Sequence, residues 1–128
     1  RPVGEPIRVL LVEDNQVFRE ALELILGLRS DMKVVASVPD GSNAAAVAAD
    51  VRPDVVVMDY RLPGLDGVQA TRAVRDACPT AAVICLTASA TLRERDALAD
   101  AGVVAFLRKD DGLDAVVAAI HDAARAPA

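Results

Sequence analysis

The chain has 128 residues, of which 53% are hydrophobic, and its 14 basic and 19 acidic side chains leave a formal net charge of −5. This length fits one domain, and high hydrophobic content with modest net charge excludes an intrinsically disordered chain. No apolar run approaches the roughly 18 residues that cross a bilayer. The acidic balance also argues against direct binding of nucleic acid by this chain, because such binding requires clustered Lys and Arg.

The cysteine content and the N-terminus indicate where the protein is found. Cys78 and Cys85 are the only cysteines, which is too few for a disulfide framework in so apolar a chain. Cys85 lies within an apolar run and is expected to be a small core residue. Residues 1–6 are polar, include two prolines and do not resemble a signal peptide. We therefore expect a cytoplasmic protein.

Short apolar runs alternate with segments of helical periodicity along the chain. The five runs cover residues 7–12, 33–38, 54–58, 82–86 and 103–107. The first, third and fourth are almost unbroken, which is typical of parallel strands covered on both faces. Strands that alternate with helices at this spacing indicate βαβ units with right-handed crossovers. The predicted fold is α/β, a (βα)5 doubly wound parallel sheet.

The helical segments carry start and stop signals. The candidate N-cap residues are Asn15, Ser42 or Asn43, Asp66 and Thr91. Thr91 and Glu94 match a capping box, and Gly102 is placed to end the fourth helix in the left-handed conformation. Arg72, Arg75, Arg93 and Arg95 are expected on solvated helix faces, and His121 on the surface.

Polar side chains follow four of the five runs: Glu13 and Asp14, then Asp59, then Thr87, and finally Arg108 and Lys109. Open α/β sheets bind ligands outside the carboxyl ends of their strands. Closely packed carboxylates repel unless a cation lies among them, and an all-oxygen donor set suits Mg²⁺. A lysine and a threonine hydroxyl opposite the metal would complete a pocket for a tetrahedral anion.

Each of these residues has an ordinary structural interpretation when taken alone. Asp14 could cap a helix, Lys109 could be a solvated surface charge, and Thr87 could cap or pack. Their occurrence at successive strand ends favours a single functional site.

The pattern resembles the receiver domain of bacterial two-component response regulators, over essentially the whole chain. The matching segments are VLLVED at 9–14, DVVVMD at 54–59 followed by YRLPGLDG at 60–67, LTA at 86–88 and FLRKD at 106–110. The resemblance implies the flavodoxin-like, CheY-like strand order 2-1-3-4-5. It is strongest to the NarL/FixJ-type subfamily, whose full-length members carry a LuxR-type helix-turn-helix DNA-binding domain.

The resemblance implies a role for each matching residue. Asp59 would be the nucleophile that accepts a phosphoryl group. Asp14, Asp59 and the backbone carbonyl of Arg61 would bind Mg²⁺ directly, and Glu13 would act through a metal-bound water. Arg61 and Ser89 occupy positions at which the family tunes the loss of phosphate.

The remaining roles concern the phosphoryl group and the response to it. Thr87 would donate a hydrogen bond to one phosphoryl oxygen, and Lys109 would neutralise another. Thr87 and Phe106 would form the conformational switch, although Phe106 could also be a plain core aromatic. Phe106 stands where tyrosine is frequent in the family and lacks its hydroxyl group.

The resemblance also implies an organisation and partners. We expect a flexible N-terminal arm at 1–6, the receiver domain at 7–125, and at 126–128 the start of a linker to a C-terminal effector domain. The implied partners are a sensor histidine kinase, a DNA-binding output domain of the same protein, and a second copy in a phosphorylation-linked homodimer. The chain would catalyse only its own phosphorylation and dephosphorylation.

Other interpretations remain at this point. A Mg²⁺-dependent phosphohydrolase of the haloacid-dehalogenase type would have an acid at position 16, where this chain has Gln16. A metal-dependent nuclease would have an acid in place of Arg61. In a carrier of flavin mononucleotide, the pair Glu13 and Asp14 would repel the phosphate. A degenerate receiver that acts only in protein interaction is a further alternative.

Overall fold

Five parallel strands form one sheet in the computed structural model, which describes residues 4–61, 66–87 and 91–125. The strands are β1 (Ile7–Val12), β2 (Met32–Val38), β3 (Val55–Asp59), β4 (Ala82–Thr87) and β5 (Val103–Arg108). The helices are α1 (Gln16–Gly27), α2 (Ala44–Val51), α3 (Gly67–Ala77), α4 (Leu92–Ala101) and α5 (Leu113–Arg125), and a 3₁₀ turn covers Lys109–Asp111. The strand order β2-β1-β3-β4-β5 confirms the predicted topology.

Some sequence predictions fall on residues outside the described ranges. These are the first half of the expected N-terminal arm, the segment 62–65 of the phosphoacceptor loop, Ser89, and the expected linker at 126–128. No helix among the described residues is long and apolar enough to span a membrane.

Three strands end one residue later than the apolar runs predict. Asp59, Thr87 and Arg108 are the last residues of β3, β4 and β5 rather than the first residues after them. Backbone pairing continues past the apolar side chains. Asp59 pairs with Leu86, and Thr87 pairs with Arg108. The two side chains predicted to be functional are therefore held by the sheet itself.

The core has two layers, one on each face of the sheet. Leu10, Val56 and Met58 pack with α2, α3 and α4 on one face. The alternate strand residues pack with α1 and α5 on the other face. Cys85 is buried in the first layer, as predicted, and burial raises the pKa of its thiol to about 12.

The predicted caps form at three helices. The Asn15 side chain accepts a hydrogen bond from the Phe18 N–H at 2.9 Å. Asp66 and Thr91 each close a complete capping box. Asn43 occupies the N-cap position of α2 but makes no side-chain cap bond. Nearby, the Asp40 carboxylate accepts from the Asn43 N–H at 3.1 Å.

The prediction that all four helix arginines are solvated is wrong for two of them. Arg72 and Arg93 are exposed, whereas Arg75 and Arg95 are half-buried. The Arg75 guanidinium donates to the carbonyls of Pro79 and Ala81 at 2.9 and 2.7 Å. The Arg95 guanidinium lies over the ring of Phe106 on β5. Long arginine stems cover apolar surface while the head group finds a polar or aromatic partner.

Gly102 and His121 are placed as their sequence contexts suggest. Gly102 ends α4 with φ +118°, the left-handed conformation expected there. His121 lies at the surface on α5 with its side chain 35% exposed, and its Nε2 lies 2.8 Å from Asp31.

Candidate functional site

The carboxyl ends of β1 and β3 and the turn after β5 bring three predicted side chains into contact. The Lys109 ammonium lies 2.6 Å from Glu13 Oε1 and 3.0 Å from Asp59 Oδ2. Partial burial acts to lower the pKa of Lys109, but the hydrogen bonds to Glu13 and Asp59 outweigh it and raise the pKa. The lysine is therefore a fixed positive charge at this edge of the sheet.

Glu13 is the more deeply buried of the two acids that follow β1. Its exposed fraction is 1%, and its Oε2 accepts a hydrogen bond from the Asn15 N–H at 3.1 Å. Burial and the neighbouring Asp59 raise the pKa of Glu13 from 4.5 to about 7, although Lys109 acts in the opposite direction. A further positive charge close by would stabilise the ionised form of this carboxylate.

Asp14 completes an acidic cluster with Glu13 and Asp59. One carboxylate oxygen from each residue lies within 4.8 Å of the other two. Asp14 is exposed, whereas Glu13 and Asp59 are buried, so the cluster opens to solvent on one side. The negative charge of three carboxylates exceeds the positive charge of Lys109. An all-oxygen donor set fits a hard divalent cation such as Mg²⁺.

Asp59 is held in a defined orientation at the end of β3. Its Oδ1 accepts a hydrogen bond from the Arg61 N–H at 3.1 Å, while its Oδ2 receives the Lys109 ammonium. The next residue, Tyr60, donates its N–H to the Leu86 carbonyl at 2.9 Å and accepts at its own carbonyl from the Gly67 N–H at 3.0 Å. These backbone bonds fix the start of the loop that follows Asp59.

Gly67 permits this loop conformation. A Cβ atom at Gly67 would lie 2.8 Å from Tyr60 Cδ1 and 3.0 Å from the Tyr60 carbonyl oxygen. Real Cβ atoms do not approach other heavy atoms so closely, so a larger residue would displace the segment next to Asp59. The final glycine of the predicted phosphoacceptor loop is explained by this contact.

The two predicted switch residues lie on β4 and β5. Thr87 has an exposed fraction of 2%, and its Oγ1 has no hydrogen-bond partner among the described residues. A buried hydroxyl of this kind costs free energy until it finds a partner. Phe106 is half-buried against the core, and the Arg95 guanidinium carbon lies 5.2 Å from its ring centroid.

Comparison with known proteins agrees with this geometry. Residues 9–121 match the profile of the response regulator receiver domain. The chain belongs to this family. Over 97% of its length it superposes on the signal receiver domain of NarL from Mycobacterium tuberculosis, with a TM-score of 0.90, 31% sequence identity and complete coverage of that chain.

Two curated relatives extend the comparison. The receiver domain is 32% identical to the transcriptional regulatory protein LnrK of Bacillus subtilis over 89% of this chain and 52% of that protein. It is 38% identical to a protein-glutamate methylesterase/protein-glutamine glutaminase of Pseudomonas fluorescens over 81% of this chain and 28% of that protein. The chain thus spans about half, or about a quarter, of the length of these relatives, whose names describe different outputs.

Two contacts of the receiver domain were not found from the sequence. Phe18 was assigned only to the apolar stripe of α1, yet the Lys109 Nζ lies 5.1 Å from its ring centroid. Glu94 was assigned only to a capping box, yet its interaction with the Tyr60 phenol raises the pKa of Tyr60 to about 12. Both contacts join separate elements, and the local sequence carries no signal for either.

Proposed function

We propose that Asp59 is the phosphoacceptor of this receiver domain. The observation that carries the proposal is the environment of its carboxylate, with one oxygen on the Lys109 ammonium and the other on the Arg61 N–H. In the reaction, an Asp59 oxygen attacks phosphorus, the bond from phosphorus to the donor breaks, and an acyl phosphate forms. Catalysis of this kind depends on positioning and charge neutralisation.

The neighbouring residues supply those two requirements. Lys109 is placed to neutralise one phosphoryl oxygen, and the unpartnered Thr87 hydroxyl can donate a hydrogen bond to another. Asp14, Asp59 and the Arg61 carbonyl would hold Mg²⁺, with Glu13 acting through a water. When bound, Mg²⁺ would neutralise charge between the carboxylates and the incoming phosphoryl group.

The switch follows from the same residues. A phosphoryl group brings nearly two negative charges and strong hydrogen-bond acceptors to the end of β3. The Thr87 hydroxyl gains a partner by moving toward it, and the space that Thr87 leaves can admit the Phe106 ring. This movement shifts the balance between two arrangements of the surface near α4 and β5.

Intact mass measurement tests the proposal. The chain is incubated with a small phosphoryl donor and Mg²⁺, with Asp59→Asn as the matched variant. We expect one adduct of phosphoryl mass that is stable in acid, labile in base and missing from the variant. An adduct that persists in Asp59→Asn would contradict the assignment, and turnover of a generic phosphate ester over many cycles would favour a phosphohydrolase.

The proposed partners complete the function. In the cytoplasm, where we place this protein, a sensor histidine kinase would donate the phosphoryl group from a phosphohistidine, whose imidazole is the leaving group. A DNA-binding domain of the full-length protein would respond to the switched surface. The LnrK relative is named a transcriptional regulatory protein. Phosphorylation would also favour a homodimer of the receiver domain.

A further inference from the structure

We propose that Phe18 is a positioning residue for Lys109: the face of its ring holds the ammonium group at the phosphorylation site. The proposal rests on the proposed phosphorylation of Asp59 and adds a residue to the machinery of that reaction. No matching motif of the sequence includes Phe18.

The surroundings of the ammonium group carry the argument. Lys109 Nζ lies 2.6 Å from Glu13 and 3.0 Å from Asp59, and the centroid of the Phe18 ring is 5.1 Å away. A cation within about 6 Å of a ring centroid is attracted to the ring face. The lysine side chain is 27% exposed, so this attraction is only partly screened by water.

The ring itself is well anchored. Phe18 packs against the core layer beneath α1 and α5, and its N–H donates to the Asn15 side chain at 2.9 Å. The Asn15 N–H in turn donates to Glu13 at 3.1 Å. One N-cap residue therefore fixes both Glu13 and Phe18, and these two side chains contact the ammonium group together.

A lysine at this position needs such support. Its side chain has four rotatable bonds, and it begins in an exposed 3₁₀ turn at the edge of the sheet. The two carboxylates hold the ammonium group at 2.6 and 3.0 Å, and the ring face of Phe18 adds a third contact to it. The ring thereby helps to keep the charge near Asp59, where a phosphoryl oxygen would lie.

The test measures initial rates of phosphorylation by acetyl phosphate at saturating Mg²⁺ with the whole chain. We expect Phe18→Leu, which keeps an apolar side chain but removes the ring, to react roughly fivefold more slowly. Phe18→Met provides a second ring-free variant if Phe18→Leu folds poorly. Phe18→Tyr restores the ring and should restore the rate. Val17→Ala, at a neighbouring position that is 79% exposed, is the matched control.

A double-mutant cycle separates positioning from a general structural effect. If Phe18 acts through Lys109, Phe18→Leu has no further effect on the rate in a Lys109→Ala background. An equal loss in both backgrounds, or a normal rate in Phe18→Leu and Phe18→Met, overturns the proposal while wild-type phosphorylation stands. A wild-type chain that forms no adduct dependent on Asp59 overturns the proposed function instead.

Discussion

The Lys109 ammonium lies 3.0 Å from the Asp59 carboxylate, although the two residues are 50 positions apart in the chain. The contact forms because β3 and β5 end at the same edge of the parallel sheet, with β4 between them. Lys109 also contacts Glu13, so one cation is shared by two buried acids. The site is preorganised by the fold, which is the condition for catalysis by positioning.

Removal of Lys109 should destabilise the metal-free protein. Lys109→Met leaves the carboxylates of Glu13 and Asp59 buried without a cation, and we expect the free energy of unfolding to fall by about 2 kcal/mol at neutral pH. Urea denaturation measures the change, and Lys33→Met, at an exposed position of β2, is the control. Mg²⁺ should recover part of the loss. Equal stability of the two variants would contradict the shared-cation account.

The stability of the metal-free protein should depend on the protonation of Glu13. Its pKa is raised from 4.5 to about 7 in the folded state, so the folded protein binds this proton more tightly than the unfolded chain does. Between these pH values the contribution of Glu13 to the free energy of unfolding falls as the pH rises. In the presence of a chelator, the free energy of unfolding of Glu13→Gln should not show this decrease with pH. A wild-type chain and a variant with parallel pH profiles would refute the prediction.

The interaction between Tyr60 and Glu94 offers a spectroscopic test. Tyr60 is the only tyrosine, and the interaction with Glu94 is the main cause of its raised pKa. Absorbance of the phenolate should therefore appear at higher pH in the folded wild-type chain than in Glu94→Gln. The urea-unfolded chain supplies the reference titration. Identical titrations of wild type and variant would show that this contact does not form.

Gly67 should be intolerant of a Cβ atom. Gly67→Ala would displace the Tyr60 ring and press against the Tyr60 backbone, and we expect a loss of about 1–3 kcal/mol in the free energy of unfolding. Gly27→Ala is the matched control, because a Cβ atom there would meet nothing within 4 Å. That variant should gain up to about 1 kcal/mol from the better helix propensity of alanine. Chemical denaturation of both variants measures the two changes in the free energy of unfolding, which should have opposite signs.

Much of the site could be predicted because it depends on position along the chain. Glu13, Asp59 and Lys109 follow apolar runs, and parallel strands bring such positions together whatever the details of packing. The cap of Asn15 was predictable for a similar reason, since its partner lies three residues away.

The contacts of Phe18, Arg95 and Glu94 were not predictable in this way. Each contact depends on how a helix is rotated against a different element. Apolar periodicity shows which face of a helix is buried, but it does not determine which individual side chains meet. Arginine in particular is read as solvated from its charge, while its stem and flat head group also suit a half-buried place over Phe106.

Chemical mapping of the modified residue tests the central claim most directly. After incubation with a phosphoryl donor and Mg²⁺, borohydride converts an aspartyl phosphate to homoserine, which peptide mass spectrometry can locate. We predict homoserine at position 59 and unchanged aspartate at position 14. Homoserine at another acidic residue, or none in a chain that carries the phosphoryl adduct, would contradict the assignment of Asp59 as the phosphoacceptor.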